Sequence, residues 1–169
     1  WPLVAAPAGE KLSLNGVWQF QLARSAADVK ALERFPEKDF EARDFRPIPV
    51  PSNWIMHGFE TPGYGRLKDA GEGFYLHRFT APESLRGKRT LLHFDGVWSS
   101  AEVWLNGEHV GRHDSGFTSF AFVVSPLLKI GEENALAVRV RQVTRDYTFD
   151  VNDDWSLGGI YRDVWLEVM

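Results

Sequence analysis

The sequence predicts an all-β jelly-roll β-sandwich with one short helix, and three observations predict it. Strand signals recur at a regular interval along the 169 residues, an Asn-Gly pair separates two of them, and only one stretch carries helical spacing. Parallel βαβ units would need helices between the strands, and the sequence leaves no room for them. A chain of this length has room for one domain, or two very small ones, and a domain near this size has a sizeable core, burying roughly 70% of its unfolded surface.

In chain order, Val17-Trp18-Gln19-Phe20-Gln21-Leu22 alternates apolar and polar residues after the turn pair Asn15-Gly16, which makes it a half-buried strand. Ser25-Ala26-Ala27-Asp28 has the form of a capping box, with Val29 and Leu32 at helical spacing before Phe35-Pro36 ends the run, so one short helix is expected there. Residues 46–64, RPIPVPSNWIMHGFETPGY, are proline-rich and predict a long ordered loop, because proline removes ladder donors. Strands are then expected at 74–79, 90–95, 101–105, 117–124, 135–141 and 164–169. Asn106-Gly107 suits a two-residue type I′ hairpin, which would set Leu105 opposite Glu108, Trp104 opposite His109 and Val103 opposite Val110. Phe94, Phe120 and Phe122, with Leu136, Val138, Val140, Val164, Leu166 and Val168, are expected to fill the centre of the sandwich.

Composition excludes several classes. Hydrophobic residues at 44% and charged residues at 25% are ordinary globular values, and no apolar run approaches the roughly 20 residues of a spanning helix, so no membrane partner is expected. A formal net charge of −4 provides no basic face for nucleic acid. The absence of cysteine removes disulfides, thiol nucleophiles and zinc ribbons without identifying the compartment, so localisation stays unknown. The opening WPLVAAPAGEK lacks a basic region followed by an apolar core, and no signal peptide is expected in it. The most unusual value is the 14% aromatic share, with 7 Trp and 12 Phe, and excess Trp hints at sugar-stacking or interface surfaces.

Signatures of phosphate cradles, zinc proteases, nucleophile elbows and EF-hands are absent. His57, His77, His93, His109 and His113 form no spaced ligand set, and no metal is assigned to them. Two polar clusters remain. Ser52-Asn53-Trp54 with His57 combines a polar amide with a large aromatic, which can recognise a sugar, although the residues alone favour a turn-stabilising Asn beside a packed Trp. The acidic patch at 150–155, DVNDDW, precedes Gly158-Gly159 and reads either as a binding rim or as a solvated loop. Adjacent Asp153 and Asp154 cannot act as a glycosidase carboxyl pair, because neighbours in an extended chain point to opposite sides.

PVPSNWIMHGFETPGY, FDGVWSSAEVWLNGEHVGRHDSGFTSF, LLKIGEENALAVRV and DDWSLGGIYRDVWLEV, with SLNGVWQFQL near the start, occur in one order along residues 12–169. Together they resemble the N-terminal domain of glycoside hydrolase family two, closest to its β-galactosidases, with PSNWxMHG and DxWxxxGIxRDV the most specific patterns. The resemblance implies a galactose-binding-domain-like jelly roll over 1–169, one domain of a multidomain enzyme that also carries an immunoglobulin-like domain and a catalytic barrel. It implies no catalytic residue in this chain, whose length is below the roughly 250 residues a barrel takes. It also implies that Asn53 and Asp153 help hold the galactosyl group of a β-galactoside or related carbohydrate. It attaches no cofactor to this chain, sodium and magnesium to the parent enzyme (with Asp153 a sodium ligand in the family), and a homo-oligomeric state to that parent. The family's usual PIYTN after the first motif is replaced here by Pro62-Gly63-Tyr64-Gly65-Arg66. Arg162 and Asp163 are expected to form a structural bridge with neighbouring loops. A β-glucuronidase or β-mannosidase parent, a free-standing carbohydrate-binding module and a purely structural interdomain module are the alternative readings.

Overall fold

A computed structural model describes residues 9–61, 71–142 and 157–169. The strands are β1 (Glu10–Ser13), β2 (Gly16–Ala23), β3 (Arg46–Val50), β4 (Glu72–Thr80), β5 (Thr90–Phe94), β6 (Val97–Trp98), β7 (Ser100–Leu105), β8 (Glu108–Asp114), β9 (Phe120–Val123), β10 (Glu133–Arg141), β11 (Gly159–Ile160) and β12 (Val164–Val168). Two antiparallel sheets, ordered β1-β12-β5-β9 and β3-β2-β4-β10-β7-β8, make the sandwich, and β11 pairs with β6 at one end. The fold is therefore the all-β jelly-roll type that the strand spacing predicts. The helix α1 (Ala26–Ala31) begins as its sequence dictates, with the Asp28 N–H donating to Ser25 Oγ at 3.1 Å and the Ser25 N–H donating to Asp28 Oδ2 at 3.0 Å.

Alternation decides the core. Trp18, Phe20, Ile48, Tyr75, Phe94, Leu136, Val138, Val140, Val164 and Leu166 are buried between the sheets. Phe74, one residue from Tyr75, points the opposite way into a smaller cluster with Ala23, Leu32, Phe35, Phe45 and Ala137. The expectation for Phe120 and Phe122 needs correction: both are only half-buried, because β9 is an edge strand of its sheet. That strand is also shorter than the expected 117–124, and Phe117 before it is 60% exposed.

A second correction concerns the proline-rich stretch, whose first residues form β3 rather than loop. β3 is the outer strand of the six-stranded sheet, and Pro47 and Pro49 alternate with buried Ile48 and Val50. Two residues apart, both prolines turn their missing donors to the unpaired side, where proline is tolerated.

The Asn106-Gly107 hairpin forms with φ of 55° and 87° at its two central residues, the positive values of a type I′ turn. Leu105 faces Glu108 and Trp104 faces His109 as expected, but Val103 faces Gly111 instead of Val110, so β8 carries a bulge. Next to the bulge, Gly111 packs against the Phe122 ring of β9, and a Cβ there would run into that ring.

Asn106 does more than turn the chain. Its Nδ2 donates to Leu127 O and to Asn134 Oδ1, each at 2.8 Å, and its Oδ1 accepts from Ala135 N at 2.9 Å. Asn106→Gly keeps the turn and loses these three bonds beside fully buried Asn134, so it is expected to cost about 2 kcal/mol in urea denaturation of the chain. A loss below about 0.5 kcal/mol would show that water replaces them.

His77 stacks on Trp18 with ring centroids 4.6 Å apart, and burial holds its pKa below the usual 6.5. A depressed histidine leaves the unfolded chain binding more protons, so stability falls as pH drops through about 6.5 toward the lower folded value. His113 shifts the same way through burial, against an opposing pull from Asp114. His77→Phe keeps a ring on Trp18 and is expected to shrink the drop in melting temperature between pH 7 and pH 5; an unchanged drop would contradict this origin.

Candidate sugar-binding site

The site is built by two short segments that run side by side. Ser52 N–H donates to Ile160 O at 2.8 Å and Trp54 N–H to Gly158 O at 3.1 Å, which places Asn53 beside Gly159. The approach requires glycine. Gly159 has φ of +149°, and a Cβ on it would lie 2.6 Å from Ser52 O and 2.8 Å from Asn53 Cα. Gly158 lies under the Trp54 indole, and a Cβ there would collide with the ring.

Trp54 anchors the loop from below. It is fully buried, stacks on Phe20 at 5.6 Å, and donates through Nε1 to Glu60 Oε2 at 2.8 Å. Gly73 on β4 closes its other side, since a Cβ there would be 2.7 Å from Trp54 Cζ3. Phe59 is buried edge-on against Phe20 at 4.6 Å, with the Arg46 guanidinium 4.4 Å over its ring and the Arg24 guanidinium donating to its carbonyl. Beneath Gly159 is the Tyr75 hydroxyl, 3.3 Å from where a Gly159 Cβ would sit, and burial raises its pKa so that it stays protonated.

Asn53 itself is half-buried at the start of the 3₁₀ turn Ile55–His57. Its Oδ1 accepts from Met56 N at 3.0 Å, while its Nδ2 makes no hydrogen bond to a described residue. The two readings of the Asn thus divide between its two ends: the oxygen stabilises the turn, and the amide nitrogen remains a donor on a rigid rim. Trp54 is corrected as a sugar-facing ring, because its whole surface is spent on packing. His57 is exposed on the turn. Asp153, Asp154 and the rest of the acidic patch lie outside the described residues, as does the segment that replaces PIYTN.

Sequence reasoning missed Glu60, Gly73 and Tyr75 as supports: Glu60 is six residues from Trp54 in the same loop, where only the folded turn brings its carboxylate to the indole N–H, and Gly73 and Tyr75 come from β4 on the other side of the fold. Asp163 meets the expected bridging role: its Oδ1 accepts from Asn15 Nδ2 at 2.9 Å and its carbonyl from Asp95 N at 2.9 Å. Arg162 joins the bridge through its backbone, its N–H donating to Gly96 O at 3.3 Å, while its guanidinium sits 5.3 Å over the Tyr161 ring.

The described tryptophans supply no open aromatic platform of the kind a free-standing module needs, Trp104 being half-buried with the Phe35 and His109 rings each 5.4 Å away. Trp18, Trp54 and Trp98 are buried, and Trp165 is flanked by the His93 ring at 4.0 Å and the Lys11 ammonium at 4.1 Å. Among the described residues no group of three His, Asp or Glu is placed to hold a metal ion, and no helix is long and apolar enough to cross a membrane.

The chain is 35% identical to a β-galactosidase of Vibrio cholerae over 94% of its own length and 16% of that protein's. It is 32% identical to the β-galactosidase large subunit of Latilactobacillus sakei over 91% of its own length and 29% of that subunit's. Among solved structures, a β-glucuronidase of an uncultured Clostridium superposes with a TM-score of 0.79 at 27% identity, covering 98% of this chain and 30% of that one. A β-glucuronidase of Bacteroides uniformis gives a TM-score of 0.77 at 28% identity, covering 94% and 18%. The chain thus spans less than a third of the length of each of these relatives. Residues 12–168 match the family model described as glycosyl hydrolases family 2, sugar binding domain, and the chain belongs to that family.

Proposed function

We propose that this domain serves a β-galactosidase-type glycosidase, holding the galactosyl group with Asn53 and Asp153 while a catalytic barrel elsewhere in the parent chain supplies the reacting carboxyls. The observation that carries this reading is the Asn53 amide nitrogen, unpaired among the described residues and fixed on a rim that pairs with Gly158–Ile160, five residues and more beyond Asp153 in the sequence. An amide donor and a carboxylate acceptor are together the groups that two hydroxyls of one sugar ring call for. Rigid placement lets such bonds strengthen as the ring distorts toward the transition state, so they act on turnover as well as affinity. The parent's immunoglobulin-like and barrel domains are the partners of this domain, in a homo-oligomer. Sodium at Asp153 would supply a hard cation for sugar hydroxyls; magnesium has no role assigned to a residue of this chain.

The solved β-glucuronidase structures favour a second reading, in which the parent cleaves β-glucuronides. Nitrophenyl glycosides discriminate the two. The full-length protein is expected to turn over the β-galactoside with the highest kcat/KM, and the isolated 169-residue chain is expected to turn over neither. A preference for the β-glucuronide would overturn the galactosidase reading. Activity of the isolated chain that a point mutation within it abolishes would overturn the division of labour.

A further inference from the structure

Past Pro51 and Tyr161, the same two segments border a second, open concavity of about 510 Å³, lined by Pro51, Asp95, Ser119, Tyr161, Arg162 and Asp163. That volume is within the roughly 300–1,000 Å³ of small-molecule sites. Its walls are held in place. Asp95 Oδ1 accepts from Trp165 Nε1 at 3.0 Å, Asp163 Oδ1 accepts from Asn15 Nδ2 at 2.9 Å, and the Tyr161 hydroxyl donates to Gly116 O at 2.5 Å. Gly96 lets Tyr161 and Arg162 cross it closely, since a Cβ there would lie 2.8 Å from Tyr161 Cζ and 3.0 Å from Arg162 Cδ.

After these bonds, each carboxylate keeps a second oxygen, and the Arg162 guanidinium has no carboxylate partner among the described residues. The mixture selects a ligand class. A bare cation would meet Arg162, and an anion would meet two carboxylates; a neutral polyol presents donors to the carboxylates and acceptors to the guanidinium at once. Pro51 adds an apolar edge for the C–H groups of a pyranose.

We propose that this concavity is a second carbohydrate site, taking a neutral hexose and separate from the Asn53 rim. It does not depend on which glycoside the parent cleaves. Two variants test it without removing a structural bond: Arg162→Met deletes the guanidinium, and Ser119→Trp fills the mouth from an exposed position. In the full-length protein carrying Asn53→Ala and Asp153→Ala, lactose is titrated by saturation-transfer NMR, with glucuronate as the anionic counterpart. Residual lactose binding is expected, stronger than that of glucuronate, and each added variant should weaken it about fivefold or more. On an otherwise unaltered protein the two variants should change nitrophenyl β-galactoside hydrolysis by less than about twofold. Lactose binding that neither variant alters, no lactose binding in that background, or tighter binding of glucuronate would overturn the proposal. Hydrolysis by the Asn53 and Asp153 variants reports on the first site alone, so either site can fail without the other.

Discussion

Asp153→Ala in the full-length protein is expected to lower kcat/KM for a β-galactoside by roughly ten- to a few hundredfold, with Asp154→Ala close to neutral. The size follows from a hydrogen bond between a charged group and a sugar hydroxyl, worth about 1.5 to 3 kcal/mol, and the asymmetry from neighbouring side chains pointing to opposite sides in an extended chain. Part of the loss should fall on kcat, because a bond that strengthens in the transition state does more than bind. Steady-state kinetics on both variants checks this. Equal losses at Asp153 and Asp154, or unchanged kinetics at Asp153, would return the patch to a solvated loop.

The second large effect is on stability. Trp54→Ala is expected to cost about 3–5 kcal/mol, the range for emptying a fully buried tryptophan site, because the indole fills the space between Gly73, Gly158 and Phe20. It would also strip Glu60 of its indole donor and loosen the turn that carries Asn53. Met56→Ala, two residues away and 71% exposed, should change stability by less than about 0.5 kcal/mol. Urea denaturation of the two variants measures the contrast; similar midpoints would mean that Trp54 is not the anchor.

What the sequence shows and what it hides divide along one physical line. The α1 capping box and the Asn106-Gly107 turn are legible because their chemistry is local: a side chain meets a backbone donor three residues on, or two residues adopt positive φ. The bulge in β8 is not legible, because no local residue marks Val110 as the extra one, and the ring that packs on the adjoining Gly111 comes from β9, which only the packed sandwich brings there. Pro47 and Pro49 mislead for a related reason, since proline forbids a central strand but not an outer one, and strand order is a property of the whole sheet.

The candidate site follows the same division. Asn53 stands out from its motif, but the burial of Trp54 beside it could not be read locally, because an aromatic in a polar loop looks the same whether it faces a ligand or a core. Gly158 and Gly159 suggest a bend in the sequence; in the fold they clear space for the Trp54 ring and the Asn53 backbone. The pocket around Arg162 has no contiguous motif, since Asp95, Ser119 and Arg162 come from three separate stretches of chain.

The central claim is that Asn53 serves the turn through its oxygen and the sugar through its nitrogen. Asn53→Asp separates the two, because aspartate keeps an oxygen to accept the Met56 N–H and loses the amide donor. Measured on the full-length protein, the variant should melt within about 2 °C of the unaltered protein while kcat/KM for a β-galactoside falls roughly tenfold. Full activity with an unchanged melting temperature would contradict the claim and leave Asn53 as a turn residue alone.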